Sequence, residues 1–284
     1  MRAPPPIEIG GRRFEWGRRT YLMGIVNATP DSFSGDGVLD AAAAAEQAAR
    51  MVEAGAALID VGAESTRPGH APLDVAAEWA RLGPVLRAVR AATAAPITVD
   101  TTKAGVAERA FDAGADALND VRGLLADADL APLLARRRLP AIVVHNQRGR
   151  AFGGDVLADV RAGLEESIGV ADRAGVDRDR LVLDPGFGFG WEPEQNLELL
   201  RRLGELRVFG RPLLVGTSRK STIGWLLDRL EAERLWGTAA TVALAVAAGV
   251  DIVRVHDVAE LAEVVRVADA VVRGSLPEDR AGAR

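Results

Sequence analysis

One rhythm restricts this chain more than any other feature. From residue 21 onward, eight short apolar runs alternate with longer stretches rich in Ala, Leu, Glu and Arg. The runs are 21–27, 58–62, 96–100, 117–121, 141–146, 181–184, 213–217 and 251–256. Each is strand-length and bounded by Gly, Pro, Asp or Asn. Helix-like stretches lie between or after them at 39–54, 74–93, 103–113, 127–137, 156–174, 194–203, 232–248 and 258–273. Pro193 suits a first helical turn. Gly55, Gly114, Gly175 and Gly249 stand where helix C-terminal caps belong.

Strands separated by helices pair in parallel. Runs this uniformly apolar need cover on both faces. Eight such units within 284 residues predict an α/β fold, a closed (β/α)8 TIM barrel over about 20–273. Ile7-Glu8-Ile9 and Arg12-Arg13-Phe14 flank Gly10-Gly11, which predicts a short N-terminal β-hairpin within 1–19. No break in composition marks a second domain, so one domain is expected, with a frayed tail at 275–284.

Composition narrows the chemistry. The chain has no cysteine, so disulfides, thiolate nucleophiles and Cys-ligated metals are excluded. Its three histidines, His70, His145 and His256, are scattered and form no H-E-x-x-H motif. The net charge of −5 argues against nucleic-acid and anionic-membrane partners. No stretch of 18 apolar residues and no signal-like leader is evident, so a cytoplasmic location is expected. There are two lysines, Lys103 and Lys220. Lys103, three residues after Asp100, reads as a helix-surface residue.

Active sites of such barrels lie at the C-terminal ends of the strands. Here the runs end in Asn27, Asp60, Asp100, Asn119, Asn146, Asp184, Lys220 just past its strand, and Arg254 with His256. Any one of these is equally a turn former or cap. Together they are a ring of carboxylates, amides and cations suited to a polar, planar ligand. Arg254 and His256 share a face by strand parity and suit a phosphate or pyrophosphate; a satisfied core histidine is the alternative for His256. The long segment 27–37 carries Asp31 and Phe33 and reads as a mobile lid or an ordinary surface loop. In 60–69, Arg67 either binds an anion or pairs with Glu64 or Asp31. His145 opposes Asn146 in parity and reads about equally as core or functional.

These stretches also resemble one family, the dihydropteroate synthases. The matching segments are GIVNATPDSFS (24–34), IDVGAESTRPG (59–69), ITVDTT (97–102), ALNDV (117–121), LVLDPGFGFG (181–190), VGTSRKS (215–221) and IVRVHDV (252–258). The resemblance implies a transferase of folate synthesis. It joins p-aminobenzoate to 6-hydroxymethyl-7,8-dihydropterin pyrophosphate and releases pyrophosphate, with Mg2+ assisting. It implies pterin binding by Asp100, Asn119, Asn146, Asp184, Phe189, Gly216 and Lys220. Asn27, Thr66, Arg254 and His256 fall to the pyrophosphate, with Asn27 near the metal. Phe33, Thr66, Arg67, Pro68 and Ser221 fall to p-aminobenzoate. Asp100, Lys220, Arg254, His256, Asp31 and Arg67 are the implied catalytic set. A homodimer through the last barrel helices and sulfonamide sensitivity are implied as well. Two positions depart from the pattern. Asn146 stands where the family has Met, and Trp191 where it has Lys, which removes a cation from the expected pocket rim. A related pterin-dependent methyltransferase and a non-catalytic pterin-binding paralogue are the alternatives.

Overall fold

The computed structural model describes residues 3–28, 40–64 and 72–275. Two strands, β1 (Ile7–Ile9) and β2 (Arg12–Phe14), form the N-terminal hairpin, with Ile7 opposite Phe14. Gly10 and Gly11 take φ of 56° and 73°, as a primed two-residue turn requires.

The barrel follows as β3 (Tyr21–Asn27), α1 (Ala41–Glu53), β4 (Ala56–Gly62), α2 (Val75–Ala92), β5 (Ile97–Asp100), α3 (Ala104–Asp112), β6 (Ala117–Asp120) and α4 (Leu130–Arg137). It continues as β7 (Ala141–Val144), α5 (Val156–Ala174), β8 (Leu181–Asp184), α6 (Pro193–Arg201), β9 (Leu214–Val215), α7 (Ser221–Leu227), α8 (Leu235–Ala247), β10 (Ile252–Val255) and α9 (Val258–Arg273). The strands pair in the order β8-β7-β6-β5-β4-β3-β10-β9. A parallel bridge between Leu183 and Leu213 joins the two ends of this sheet and closes the barrel.

Strand parity divides the core in two. Outward residues such as Ile59, Val61, Val99, Leu118, Leu183 and Val253 pack under the helices. Inward residues Tyr21, Met23, Leu58, Ala117, Ile142, Val144, Val182, Leu214 and Ile252 fill the barrel. Ile7, Ile9, Phe14 and Trp16 join this inner cluster. The hairpin therefore stoppers the N-terminal end of the barrel, and the other end is left for polar residues.

The structure departs from the sequence reading around the seventh unit. Strand β9 keeps only two residues, and Gly216 and Thr217 leave the ladder. A short helix, α7, follows at once, and α8 begins at Leu235 instead of 232. Ser-Thr-Ile-Gly-Trp-Leu-Leu is too short for helical periodicity to declare itself and contains a glycine. The sixth helix ends at Arg201, two residues before its expected end, and a 3-10 segment, Leu203–Phe209, follows, which beyond residue 203 the sequence reading left without an element. Of the tail predicted at 275–284, all but Ser275 lies outside the described residues.

Candidate active site

The inward parity of each strand continues to its C-terminal end. Met23 leads to Asn27, Leu58 to Asp60, Ala117 to Asn119, Val144 to Asn146, Val182 to Asp184, Leu214 to Gly216, and Ile252 to Arg254 and His256. The residues that fill the barrel below and the polar ring above are thus one alternating pattern. Register then sets the neighbours. Asp60 lies beside Thr98, and Asp100 beside Asn119.

The centre of the ring is a network around two carboxylates. Asp60 is fully buried and accepts from Thr98 Oγ1, from Asn119 Nδ2 at 3.0 Å and from Arg254 Nε at 2.6 Å. The same guanidinium donates through Nη2 to Asp100 at 3.1 Å. Burial and then the neighbouring Asp60 raise the Asp100 carboxyl to about 7, against the pull of Arg254. Asp60 was legible as a strand end but was not selected as a site residue. Its partner is 194 positions away, and only closure of the barrel reveals the pair.

Asp184 lies on the far side of the ring. Its Oδ1 accepts from the Gly186 N–H at 2.7 Å, which leaves lone pairs for a ligand. Burial raises its carboxyl to about 6. The segment after it is dictated by space. A side chain at Gly186 (φ +75°) would place Cβ 1.8 Å from the His145 carbonyl oxygen; at Gly188 (φ +80°) Cβ would stand 2.9 Å from Lys220 Cδ. This turn presents Phe189, and the Lys220 ammonium lies 4.3 Å from the Phe189 ring centroid. Burial, then Arg254, lowers Lys220 to about 8, with Asp184 opposing. Its surroundings make it a poised hydrogen-bond donor, weakly held as a cation.

His256 Nδ1 lies 3.0 Å from Ser218 Oγ. Burial, then Arg254 and Arg219, push its pKa down to about 3. That favours the neutral imidazole, and Arg254, Arg219 and Lys220 are the cations beside it among the described residues. Ser221 opens α7 and is exposed. Gly216 would carry Cβ only 3.7 Å from Arg254 Cβ, an ordinary contact, so nothing in the protein requires its smallness.

Of the two departures from the family pattern, Trp191 stands elsewhere than the sequence reading placed it, and Asn146 makes hydrogen bonds within the protein. Asn146 is half-buried, and its amide is already employed: Nδ2 donates to Val121 O at 2.9 Å and Oδ1 accepts from Arg148 N at 3.1 Å. It ties the ends of β6 and β7 together and leaves no buried polar group unpaired. Trp191 is buried and lies off the pocket rim, against His145 (centroids 5.6 Å) and Phe152 (6.4 Å). His145 points out of the barrel onto α5, where Gly163 makes room for it. Burial lowers its pKa to about 4, and its Nε2 meets Gln147 Oε1 at 3.0 Å. It is a core histidine.

Lys103 is also not a surface residue. Its side chain is one-fifth exposed, and its ammonium pairs with Glu64 and with Glu78 Oε2, the latter at 2.7 Å. Beside the mouth, a cavity of about 350 Å3 is lined by Arg122, Asn146, Arg148, Arg150 and Glu166 among others. It contains none of Asp100, Asp184 or Lys220, and Arg150 is paired with Glu166 at 2.6 Å. Asp31, Phe33, Thr66, Arg67 and Pro68 lie outside the described residues.

Fold and site define a (β/α)8 enzyme whose polar mouth suits a pterin, and residues 23–256 match the family described as pterin binding enzyme, to which the chain belongs. The dihydropteroate synthase of Synechocystis sp. is 43% identical over 278 residues, covering 95% of this chain and 96% of that protein. The Xanthomonas albilineans dihydropteroate synthase solved with 4-aminobenzoic acid is 40% identical with a TM-score of 0.90, covering 97% and 100% of the two chains. The same enzyme in complex with 7,8-dihydropteroate gives 38% identity and a TM-score of 0.86, covering 96% and 100%. Within its family the chain thus falls among the dihydropteroate synthases, transferases of folate biosynthesis.

Proposed function

We propose that the ring condenses p-aminobenzoate with 6-hydroxymethyl-7,8-dihydropterin pyrophosphate by a path in which the leaving group departs before the amine attacks. One observation carries this reading: Asn119 and Asp184 end their strands in the inward parity of the barrel-filling residues, Lys220 lies against Phe189 of the turn after Asp184, and Asp100 is held by Arg254. A pterin presents two adjacent N–H donors and a carbonyl oxygen along one edge. The free lone pairs of Asp184 accept the donors, and Lys220 donates to the ring. Phe189 supplies an aromatic face beside them.

The methylene C–O bond then breaks, and its electron pair leaves with pyrophosphate. Arg254 and Lys220 offset the developing negative charge, and His256 donates a hydrogen bond to it. Asp100, held by Arg254, is the carboxylate we assign to stabilise the cationic methylene in its ionised form. The arylamine nitrogen closes the new C–N bond and releases one proton to solvent. No protein nucleophile takes part.

Magnesium fits this arrangement as a companion of the substrate. Among the described residues no group of three or more His, Cys, Asp or Glu could hold a metal ion. Mg2+ commonly relies on one or two protein oxygens plus substrate phosphates. The amide oxygen of Asn27, half-buried at the end of β3, is of the right chemistry to hold it. When bound, the ion would supply further neutralisation of pyrophosphate. Thr66, Arg67, Pro68, Phe33 and Ser221 are assigned to p-aminobenzoate on the resemblance, as is Asp31 to the first loop.

The homodimer reading is supported by the last helices. Trp225, Leu226 and Leu227 on α7, Trp236 and Leu244 on α8, and Val267 and Val271 on α9 are exposed, with Leu230 between α7 and α8. That is far more large apolar surface than the rest of the described residues show.

The test is pyrophosphate release from purified protein given both substrates and Mg2+. Turnover that needs all three is expected, and Asp184→Asn should lose it by orders of magnitude. No turnover from well-folded protein would sink the assignment.

A further inference from the structure

We propose that Ser218 is a positioning residue for the leaving-group side of the reaction: its hydroxyl donates to His256 Nδ1 and so fixes the imidazole proton on Nε2, the nitrogen left for the pyrophosphate. The proposal rests on the reading that His256 serves the pyrophosphate. Ser218 is buried in the turn between β9 and α7. Its Oγ accepts from the His256 backbone N–H at 3.2 Å and stands 3.0 Å from the ring Nδ1 of the same residue. A serine hydroxyl has one proton to give. Among the described residues Nδ1 is the one acceptor within hydrogen-bond reach of it. If Nδ1 carried the ring proton, Oγ would accept twice and its own proton would be buried without a partner, which costs free energy. With Nδ1 bare, both groups are satisfied. The proton of the neutral ring then sits on Nε2, for which the described residues supply no partner.

A carboxylate is a common partner of a working histidine, and Asp257 stands next in sequence. It is engaged elsewhere: Arg219 donates to it through Nε, at 3.0 Å, and through Nη2. That pair joins the same two loops and leaves the imidazole to Ser218. The turn that carries Ser218 is held from α8. Thr241 Oγ1 donates to Thr217 Oγ1 at 2.8 Å, the Arg219 N–H donates to Thr238 Oγ1 at 3.0 Å, and Arg234 donates to the Arg219 carbonyl at 2.9 Å. Arg219 takes a φ of 54°, which a residue with a side chain adopts at a cost. These contacts fix where the hydroxyl stands relative to β10. Burial and the surrounding cations disfavour a second proton on the ring, which agrees with a single proton being placed. A neutral ring with its proton on Nδ1 would turn a lone pair toward an anionic leaving group, the opposite of what departure needs.

The experiment has a spectroscopic arm and a kinetic one. Long-range proton–nitrogen correlation at pH 7, on protein labelled with 15N-histidine, reads which ring nitrogen bears the proton. Three histidines keep the spectrum small, and His256→Ala identifies the signal. His256 should show a bare Nδ1 and a protonated Nε2. In Ser218→Ala the two nitrogen shifts should move toward each other as the proton becomes shared. A proton on Nδ1 in the parent chain, or shifts that Ser218→Ala leaves in place, overturns the proposal. In steady-state assays varying the pterin pyrophosphate, Ser218→Ala should lower kcat/KM by roughly tenfold in the parent chain. In a His256→Ala background the same change should cost less than about twofold, because Ser218 acts through the ring. Equal losses in the two backgrounds would mean that Ser218 merely supports the turn, and the proposal fails; full activity of Ser218→Ala also sinks it. If His256→Ala itself keeps kcat/KM within about twofold of the parent chain, the reading of His256 falls and the proposal with it. Should Ser218→Ala fail to fold, Ser218→Cys keeps a weaker donor in the same place. The same convergence of shifts and the same dependence on His256 are then expected, and their absence overturns the proposal.

Discussion

Replacing Arg254 by Met tests the electrostatic core of the ring. Arg254 binds Asp60 at 2.6 Å and Asp100 at 3.1 Å, and the Asp60 side chain has no solvent exposure. The variant leaves both carboxylates without their cation. Removing one partner from a buried ion pair costs about 3–5 kcal/mol. In a chain of this size that is a fall in melting temperature of roughly 5–8 °C. The loss should depend on pH with a defined sign. Even with Arg254 present the Asp100 carboxyl is raised from 3.8 to about 7; without Arg254 it rises further. A carboxyl raised on folding holds its proton in the native state while the unfolded chain has released its own. Stability therefore falls as pH rises through the window between those values, and the penalty is complete above it. Arg254→Met should lie nearest the parent chain at pH 5 and furthest from it at pH 8. Thermal unfolding at both pH values measures this. Adding Asp60→Asn and Asp100→Asn should recover most of the loss at pH 8. A loss under about 1 kcal/mol at pH 8, or one identical at both pH values, would refute the buried two-carboxylate arrangement.

Two further outcomes follow from the geometry. Lys220→Met should lower kcat/KM by roughly 100-fold or more without lowering the melting temperature, because burial already disfavours the ammonium; near-normal turnover would mean the pterin contacts are misassigned. Gly163→Ala would place Cβ 2.0 Å from His145 Nδ1 and should cost about 1–3 kcal/mol in denaturant unfolding. Its KM values should be unchanged, and an unaffected midpoint would show that His145 does not pack outside the barrel.

The eight-fold rhythm was enough for the barrel, since uniformly apolar runs separated by helices leave few alternatives to a covered parallel sheet. The polar strand ends were legible because each closes an apolar run, and the structure puts Val144, Val182 and Ile252, two residues before three of those ends, inside the barrel. The seventh unit was not, because two ladder residues and a seven-residue helix carry too little pattern. Trp191 and Lys103 were misread for a related reason: neither a side chain's direction nor its partners are written next to it. Trp191 follows a glycine run and reads as exposed rim, yet the turn of Gly186, Gly188 and Gly190 carries it into the shell between strand and helix.

By itself the sequence determined which residues alternate, which ends are polar and which mechanisms lack a nucleophile. Tertiary structure alone decided how charge is shared among them. Arg254 belongs to Asp60 and Asp100 because parallel pairing through β3 brings β10 within reach of β4 and β5. The His256 pKa is pushed down because burial and two arginines disfavour its cation, and Lys103 is paired because Glu64 and Glu78 converge on its ammonium. The physical reason is common to all three. Alternation along a strand is a local property of the backbone, whereas the protonation and pairing of a buried charge depend on every group that folding brings within a few ångströms of it.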